Sequence, residues 1–476
     1  MTLKSLNKRS LTVIGAGLLL SLLTLTCWSA EATGFDRHSA QTDNSIPTLK
    51  SAAAIRYLKE HKLSDSLRTT LNAARTPPQD YSVLTPLFVD EQKLTASEGA
   101  AFDNFGRSVA VSGSTIVVGA PFDSIGGNVN QGSVYVFNRQ GGSWVETQKL
   151  TASDGTAGDF FGFSVAFSSS TIVVGSIADT IGGNVNQGSA YVFNRQGGSW
   201  VETQKLTASD GMAGDGFGFS VAFSGSAIVV GADNDDVDNF DQGSAYVFDR
   251  SGGSWVETQK LTAGDGVEGD QFGWSVAVSG STIVVGSIDD AIGGNSFQGS
   301  AYVFNRQGTG WVETQKLTAS DGAAEDSFGW SVAVSGSTIV VGVPFDSIGG
   351  ISDPGSAYVF NRQGGSWVET QKLTASDGTA GDFLGFSVAF SGSTILVGAF
   401  GDDIGGNFEQ GSAYAFERHG GSWVETQKLT VSDGAANDNF GHSVAVSGSI
   451  ILVGAPFVDI GKGAAYVFEP QRRIAR

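Results

Sequence analysis

Large apolar side chains alternate with small or polar ones in short bursts along most of this chain. Phe161-Gly162-Phe163-Ser164-Val165-Ala166-Phe167 places a large residue at every second position, which is the period of a strand. After a tight turn at Ser168-Ser169-Ser170 comes Thr171-Ile172-Val173-Val174-Gly175, a β-branched run expected to be buried on both faces. A polar loop containing Ile181-Gly182-Gly183-Asn184 leads to a third strand, Ala190-Tyr191-Val192-Phe193. Arg195-Gln196-Gly197-Gly198-Ser199 turns the chain into a fourth, from Trp200 to Thr207. Four short strands joined by hairpins are the pattern of a propeller blade.

The unit recurs. Trp-Val-Glu-Thr-Gln-Lys-Leu-Thr begins at Trp144, Trp200, Trp255, Trp311, Trp367 and Trp423, in steps of 56, 55, 56, 56 and 56 residues. A fixed period of this kind marks a repeat architecture. First strands open seven times, at Phe105, Phe161, Phe217, Phe272, Phe328, Leu384 and Phe440. The last copy stops after its third strand, and an orphan fourth strand, Phe88 to Leu94, precedes the first copy. The expectation is an all-β chain whose residues 85–476 form a seven-bladed β-propeller of four-stranded blades. The N-terminal strand completes the last blade and removes an open sheet edge. A single closed ring is expected to be monomeric.

The remaining residues read differently. Lys4, Lys8 and Arg9 precede the apolar run Leu11–Leu25, and Ala30-Glu31-Ala32 offers a small-residue cleavage site, so residues 1–32 read as an export signal. Cys27, the only cysteine, opens a rival reading as a lipid anchor, although Thr26 directly before it fits that poorly. The final compartment is expected to be periplasmic, cell-surface or extracellular, with no membrane-spanning segment in the mature chain. Residues 33–84 form an extension in which Ile55, Leu58, Leu63, Leu67 and Leu71 approximate one helical face. A tether and a partner-binding helix both fit it. Thr76-Pro77-Pro78 ends the pattern.

Composition narrows the functions. A formal net charge of -20 is the wrong sign for nucleic acid. A lone cysteine excludes disulfides and cysteine-zinc sites. The four histidines, His38, His61, His419 and His442, are scattered, and no His-Asp-Ser set, metal-hydrolase motif or phosphate loop accompanies them.

Phe105-Gly106 with Gly119-Ala120-Pro121, Phe328-Gly329 with Gly342-Val343-Pro344, and Phe440-Gly441 with Gly454-Ala455-Pro456 resemble the FG-GAP repeat family, the propeller of integrin α-subunits and many bacterial surface proteins. The middle copies keep Phe-Gly and relax the second motif, and the sixth has Leu384-Gly385. Kelch-type propellers are the runner-up. The resemblance implies a seven-bladed propeller with a role in adhesion or protein binding. It also implies calcium in an acidic loop between first and second strands, but Ser112-Gly113-Ser114, Ser279-Gly280-Ser281 and their equivalents stand there without a carboxylate. That metal site does not carry over.

The carboxylates are instead on the other loops. Of 42 acidic residues in the propeller, 16 lie in the loops joining fourth to first strands (4–1) and 15 in those joining second to third (2–3). In a propeller these loops share one face, and Arg139, Arg195, Arg250, Arg306, Arg362 and Arg418 fall on the opposite one. Each 4–1 loop repeats a pair: Glu98 and Asp103, Asp154 and Asp159, Asp210 and Asp215, Asp265 and Asp270, Asp321 and Asp326, Asp377 and Asp382, Asp433 and Asp438. Asp-Gly is turn chemistry, with the carboxylate accepting backbone N–H groups. Paired carboxylates also suit a glycosidase, but an active site does not need seven copies. The third 2–3 loop breaks the pattern with Asp233, Asp235, Asp236, Asp238 and Asp241. Five carboxylates in nine residues require a cation or a basic partner, which makes this loop the candidate calcium site; plain acidic surface is the alternative. The residue after Phe-Gly also varies, as Arg107, Phe163, Phe219, Trp274, Trp330, Phe386 and His442. The aromatics are expected between blades, and Arg107 and His442 at an adapted seam.

The expected function is binding of a protein or glycan ligand through the acidic loop face, without catalysis. A sugar-active hydrolase or lyase using acidic loop residues, and a purely structural envelope protein, are the alternatives.

Overall fold

A computed structural model of the protein describes residues 88–470. The expectations for the export signal, Cys27 and the helix of residues 55–71 lie outside the described residues. Strand β1 (Phe88–Leu94) comes first. Blade 1 follows as β2 (Ser108–Ser112), β3 (Thr115–Ala120), β4 (Ser133–Gln140) and β5 (Ser143–Leu150). Blades 2 to 6 repeat this order as β6 to β25, through residue 429. Blade 7 holds β26 (Ser443–Ser447), β27 (Ile450–Ala455) and β28 (Ala464–Pro470), with the short turn α1 (Val458–Gly461) between the last two. All seven sheets are four-stranded, and in the seventh the order is β1-β28-β27-β26. The N-terminal strand therefore completes the last blade, as the strand count required. No helix among the described residues is long and apolar enough to cross a membrane.

Each blade is covered on both sheet faces by its neighbours. In blades 1 to 6 the second strand is buried end to end because no position on it faces water, which explains its unbroken β-branched run. On the first strand of blade 2, Val165 and Phe167 pack towards blade 1, while Ala166 packs with Val221 and Phe223 of blade 3. Small and large positions therefore interlock between blades.

Three sets of hydrogen bonds tie the blades together. Near the axis, Ser164 Oγ donates to the Gly218 carbonyl of the next blade at 2.8 Å, and the same bond recurs at all seven junctions. At the rim, Gln148 Nε2 donates to the Trp200 carbonyl at 2.7 Å and accepts the Trp200 N–H at 2.8 Å. Across the closure Gln427 makes this pair with Phe88, at 2.8 and 2.9 Å. On the loop side, Gly158 N–H donates to the Val129 carbonyl at 2.9 Å, Gly214 to Val185 at 3.0 Å, and Phe102 to Ile460 across the closure at 3.1 Å. The closing junction is bonded like the others.

The Thr of the Trp-Val-Glu-Thr-Gln-Lys motif has a local explanation. Third and fourth strands shift register between Val136 and Phe137, so that Thr147 is the extra residue of a β-bulge. Its hydroxyl donates to the Val136 carbonyl at 3.2 Å.

Candidate functional site

The loop face is built from one polar cluster repeated blade by blade. In blade 2, Lys205 Nζ lies 2.7 Å from Asp154 and 2.6 Å from Asp179. Ser189 Oγ donates to Asp179 at 2.6 Å, and the Tyr191 hydroxyl sits 2.7 Å from Asp154 and 2.9 Å from Asp179. With one proton, that hydroxyl donates to one carboxylate at a time. Asp179 is buried, and Lys205 and Ser189 replace the water it loses, with the Tyr191 proton shared between it and Asp154. Burial works against charge on Asp154, but bonds from Lys205 and Tyr191 outweigh it and hold this carboxyl below its ordinary range. Burial likewise opposes charge on Lys205, and its bonds to Asp154 and Asp179 prevail and raise it. Burial also drives the Tyr191 hydroxyl far upward. Blades 1 to 6 each hold a lysine between two carboxylates. In blade 7, Val458 and Ala464 replace the buried aspartate and serine, leaving Lys93 with Asp433 at 2.7 Å.

The second carboxylate of each 4–1 pair does different work. Asp215 is buried and accepts the Met212 N–H at 2.6 Å, and the equivalent bond recurs in every 4–1 loop. Backbone capping, expected of the Asp-Gly residue, thus falls to its partner five positions on, while the Asp-Gly carboxylate holds the lysine. Burial pushes Asp215, Asp270 and Asp326 up to about 6.

The five aspartates of the third 2–3 loop are put to separate uses. Asp235 is the buried member of the repeated cluster, 2.7 Å from both Lys260 and Tyr246. The basic partner that this loop requires therefore includes Lys260 from its own blade. Asp236 accepts the Asp241 N–H at 2.8 Å, and Asp238 is exposed. Asp233 is only 2% exposed, and its Oδ1 has no hydrogen-bond partner among the described residues. It stands where blades 2 and 4 carry Ile177 and Ile288. Burial, reinforced by Asp241, pushes its carboxyl up to about 7. Among the described residues no group of three or more His, Cys, Asp or Glu side chains is placed to hold a metal ion, so the five do not converge as a calcium ligand set.

The variable residue after Phe-Gly gives a second feature. The first strands are the innermost, each touching the first strands of both neighbouring blades. Their leading side chains form a closed ring around the axis. Ring centroids are 5.3 Å apart for Phe163–Phe219, 4.6 Å for Phe219–Trp274, 4.8 Å for Trp274–Trp330, 5.3 Å for Trp330–Phe386 and 5.0 Å for Phe386–His442. Arg107 closes it, with Nη1 3.4 Å from His442 Nε2 and its guanidinium 4.5 Å over Phe163. Arg107 and His442 meet at the seam as expected, whereas the aromatics face the axis in addition to touching across blades. Burial, then Arg107, holds the His442 pKa well below its ordinary value, and burial lowers Arg107 to about 10.

Phe-Gly and Gly-Ala-Pro also meet in space. A Cβ on Gly119 would lie 2.1 Å from the Gly162 carbonyl oxygen, and Gly162 itself has φ +93. The glycine of one motif makes room for the turn that the other requires. The model of the FG-GAP repeat matches residues 88–137, 144–193, 200–248, 255–304, 311–360, 367–416 and 423–468. The chain belongs to the FG-GAP repeat family. Each FG-GAP match runs from a fourth strand into the third strand of the next blade, so the family's unit straddles a blade junction and the first match begins with β1. A search of the curated proteins found no match.

Setting aside these structural roles shows what the FG-GAP scaffold leaves on its loop face. Of the 31 loop carboxylates, fourteen are buried and seven are tied to a lysine. Ten are neither buried nor tied to a lysine: Asp236, Asp238, Asp241, Glu268, Asp289, Glu325, Asp353, Asp403, Glu409 and Asp459, of which Asp236 and Asp403 each also accept a backbone N–H of their own loop. None belongs to blade 1 or 2. Exposed Phe240, Val267, Phe297 and Phe408 lie among them, while Val129, Val185 and Met212 are exposed on blades 1 and 2. The lysine–carboxylate–tyrosine cluster went unread in the sequence, although its signal was present: Lys, Tyr and both carboxylates recur with the same period.

Proposed function

We propose that the protein is an exported, non-catalytic FG-GAP propeller that binds a protein or glycan ligand through its 2–3/4–1 loop face. The observation that carries this reading is the composition of that face once its structural residues are set aside. Ten solvent-reaching carboxylates gather from blade 3 to blade 7 among large exposed apolar side chains. Apolar groups held in water beside free charge mark contact surfaces, and a one-sign field steers oppositely charged partners. The matching ligand carries basic groups with apolar neighbours. The repeated carboxylates do not recommend catalysis, because each is already engaged by lysine, tyrosine, serine or backbone N–H.

The test is an array of basic peptides and glycans probed with the purified protein. The loop-face variant D236N/D238N/D241N/F240S should lose the ligands that the unmodified protein retains. An identical binding profile for the two would contradict the reading.

A further inference from the structure

The face opposite the loops repeats a second constellation. The penultimate residue of each third strand of blades 1 to 6 is an arginine, in register with the tryptophan at the second position of the fourth, from Arg139–Trp144 to Arg418–Trp423. In blades 1 to 5 the guanidinium lies over the indole, 5.4 to 5.9 Å from its centroid. Guanidinium and indole Nε1 are both donors, with no acceptor of their own.

The preceding blade supplies the acceptor unevenly. In blade 1 the Glu469 carboxylate accepts from Arg139 and, at 3.1 Å, from Trp144 Nε1. In blade 4 the acceptor is Asp249, bound by Arg306 at 2.9 and 3.0 Å; one methylene shorter, it leaves Trp311 Nε1 unpartnered. In blades 2, 3, 5 and 6 the equivalent residue is Asn138, Asn194, Asn305 or Asn361. Each turns into its own blade and donates to Thr147, Thr203, Thr314 or Thr370 at 2.9, 2.7, 2.7 and 2.8 Å. At three of these junctions, those of blades 2, 5 and 6, Trp200, Trp367 and Trp423 are at most 4% exposed, and their Nε1 atoms are buried without a partner among the described residues. Arg195, Arg362 and Arg418 are exposed there, unlike the half-buried Arg139 and Arg306.

We propose that the Arg195–Trp200, Arg362–Trp367 and Arg418–Trp423 pairs are carboxylate-binding subsites for an acidic polysaccharide. Glu469 displays the chemistry within the same molecule: one carboxylate satisfies the indole N–H and the guanidinium together. A charge-assisted bond to arginine plus relief of a buried orphan donor favours an anion over a neutral group. The subsites lie on one rim, in blade 2 and in the adjacent blades 5 and 6, so a chain bearing a carboxylate on every unit can engage more than one of them where a monomer engages one. The surrounding turns are locally positive, with six arginines and His419 against Asp249, Glu417 and Glu469. This face is separate from the loop face, so the two readings stand or fall independently.

The test uses the full chain in affinity electrophoresis at low salt, with polygalacturonate, monomeric galacturonate and polyglutamate as probes. Two variants are compared: R195Q/R362Q/R418Q, which removes the cations, and N138E/N305E/N361E, which copies Glu469 and fills each subsite from within. The expected result is retention by polygalacturonate that weakens about tenfold or more in both variants, with no loss of thermal stability in either. Absence of retention, or retention unchanged in both variants, would overturn the proposal. Equal or tighter binding of polyglutamate would overturn the polysaccharide assignment in favour of an acidic protein. A monomer as effective as the polymer would overturn the repeated-subsite argument.

Discussion

Asp233 shows how one residue can depart from its repeat at a cost. Its blade mates at the same position are isoleucine, proline or phenylalanine, and its buried Oδ1 lacks a partner. The sign of its pH effect follows from the raised pKa. The folded state holds the proton up to about 7, whereas an unfolded aspartate loses it near 3.9. The stability linked to this group is therefore complete below the unfolded value and is lost as pH rises towards 7. Asp215, Asp270 and Asp326, raised to about 6, act in the same direction over a lower range. Asp233→Ile is expected to raise the melting temperature by a few degrees at pH 8, to change it least near pH 4, and to flatten the decline between pH 4 and 8, most of which falls below pH 7. Melts across that range check this, and a variant less stable at pH 8 would contradict it. Lys205 makes the complementary case. Lys205→Met strands the buried Asp179 and is expected to cost about 3–5 kcal/mol in denaturant unfolding. The double change Asp179→Val and Ser189→Ala copies blade 7, leaves Lys205 with Asp154, and should cost less. The reverse order would show that the cluster is not held by its central cation.

Among the elements, β1 matters most to the ring, since it comes from one end of the propeller and completes the blade at the other. It pairs with β28 along its length, and Phe88, Lys93 and Leu94 add bonds and packing to both adjoining blades. Deletion of residues 85–95 is expected to destabilise the whole domain, not one blade, and an unchanged melting temperature would refute the closure. This element was legible in the sequence because strands come in countable sets: seven first strands and six complete fourth strands leave one place for Phe88–Leu94. The strand limits were legible for a similar reason, as alternation, β-branched runs and glycine turns repeat seven times in register. What the sequence did not reveal lies across elements. Lys205, Asp154, Asp179 and Tyr191 come from four separate segments, and only their meeting shows that the lysine is the partner of both carboxylates. Asp235 looked like part of an acidic run because its neighbours in sequence are acidic, while its neighbours in space are Lys260, Tyr246 and Ser244. The axial ring was hidden too, because position after Phe-Gly does not reveal which edge of the blade faces the axis.

At the scale of the molecule, repetition and deviation divide the labour. Residues present in every copy bond blade to blade, whereas the free carboxylates, exposed aromatics and unfilled Arg–Trp pairs are the places where copies differ. The same division bears on calcium. With Asp235 held by Lys260, and no convergent ligand set among the described residues, calcium is expected to leave the melting temperature within about a degree of its value in chelator. A larger rise, abolished in D236N/D238N/D241N, would contradict this and restore a cation-dependent site on blade 3. The most direct measurement compares thermal unfolding of that variant with D179N/D290N/D346N, which makes an equal change in charge within the repeated lysine clusters. The expected result is a melting temperature unchanged or raised for the free set and clearly lowered for the repeated set. A lowered melting temperature for the free set, or an unchanged one for the repeated set, would contradict the separation of scaffold from binding surface on which the functional reading rests.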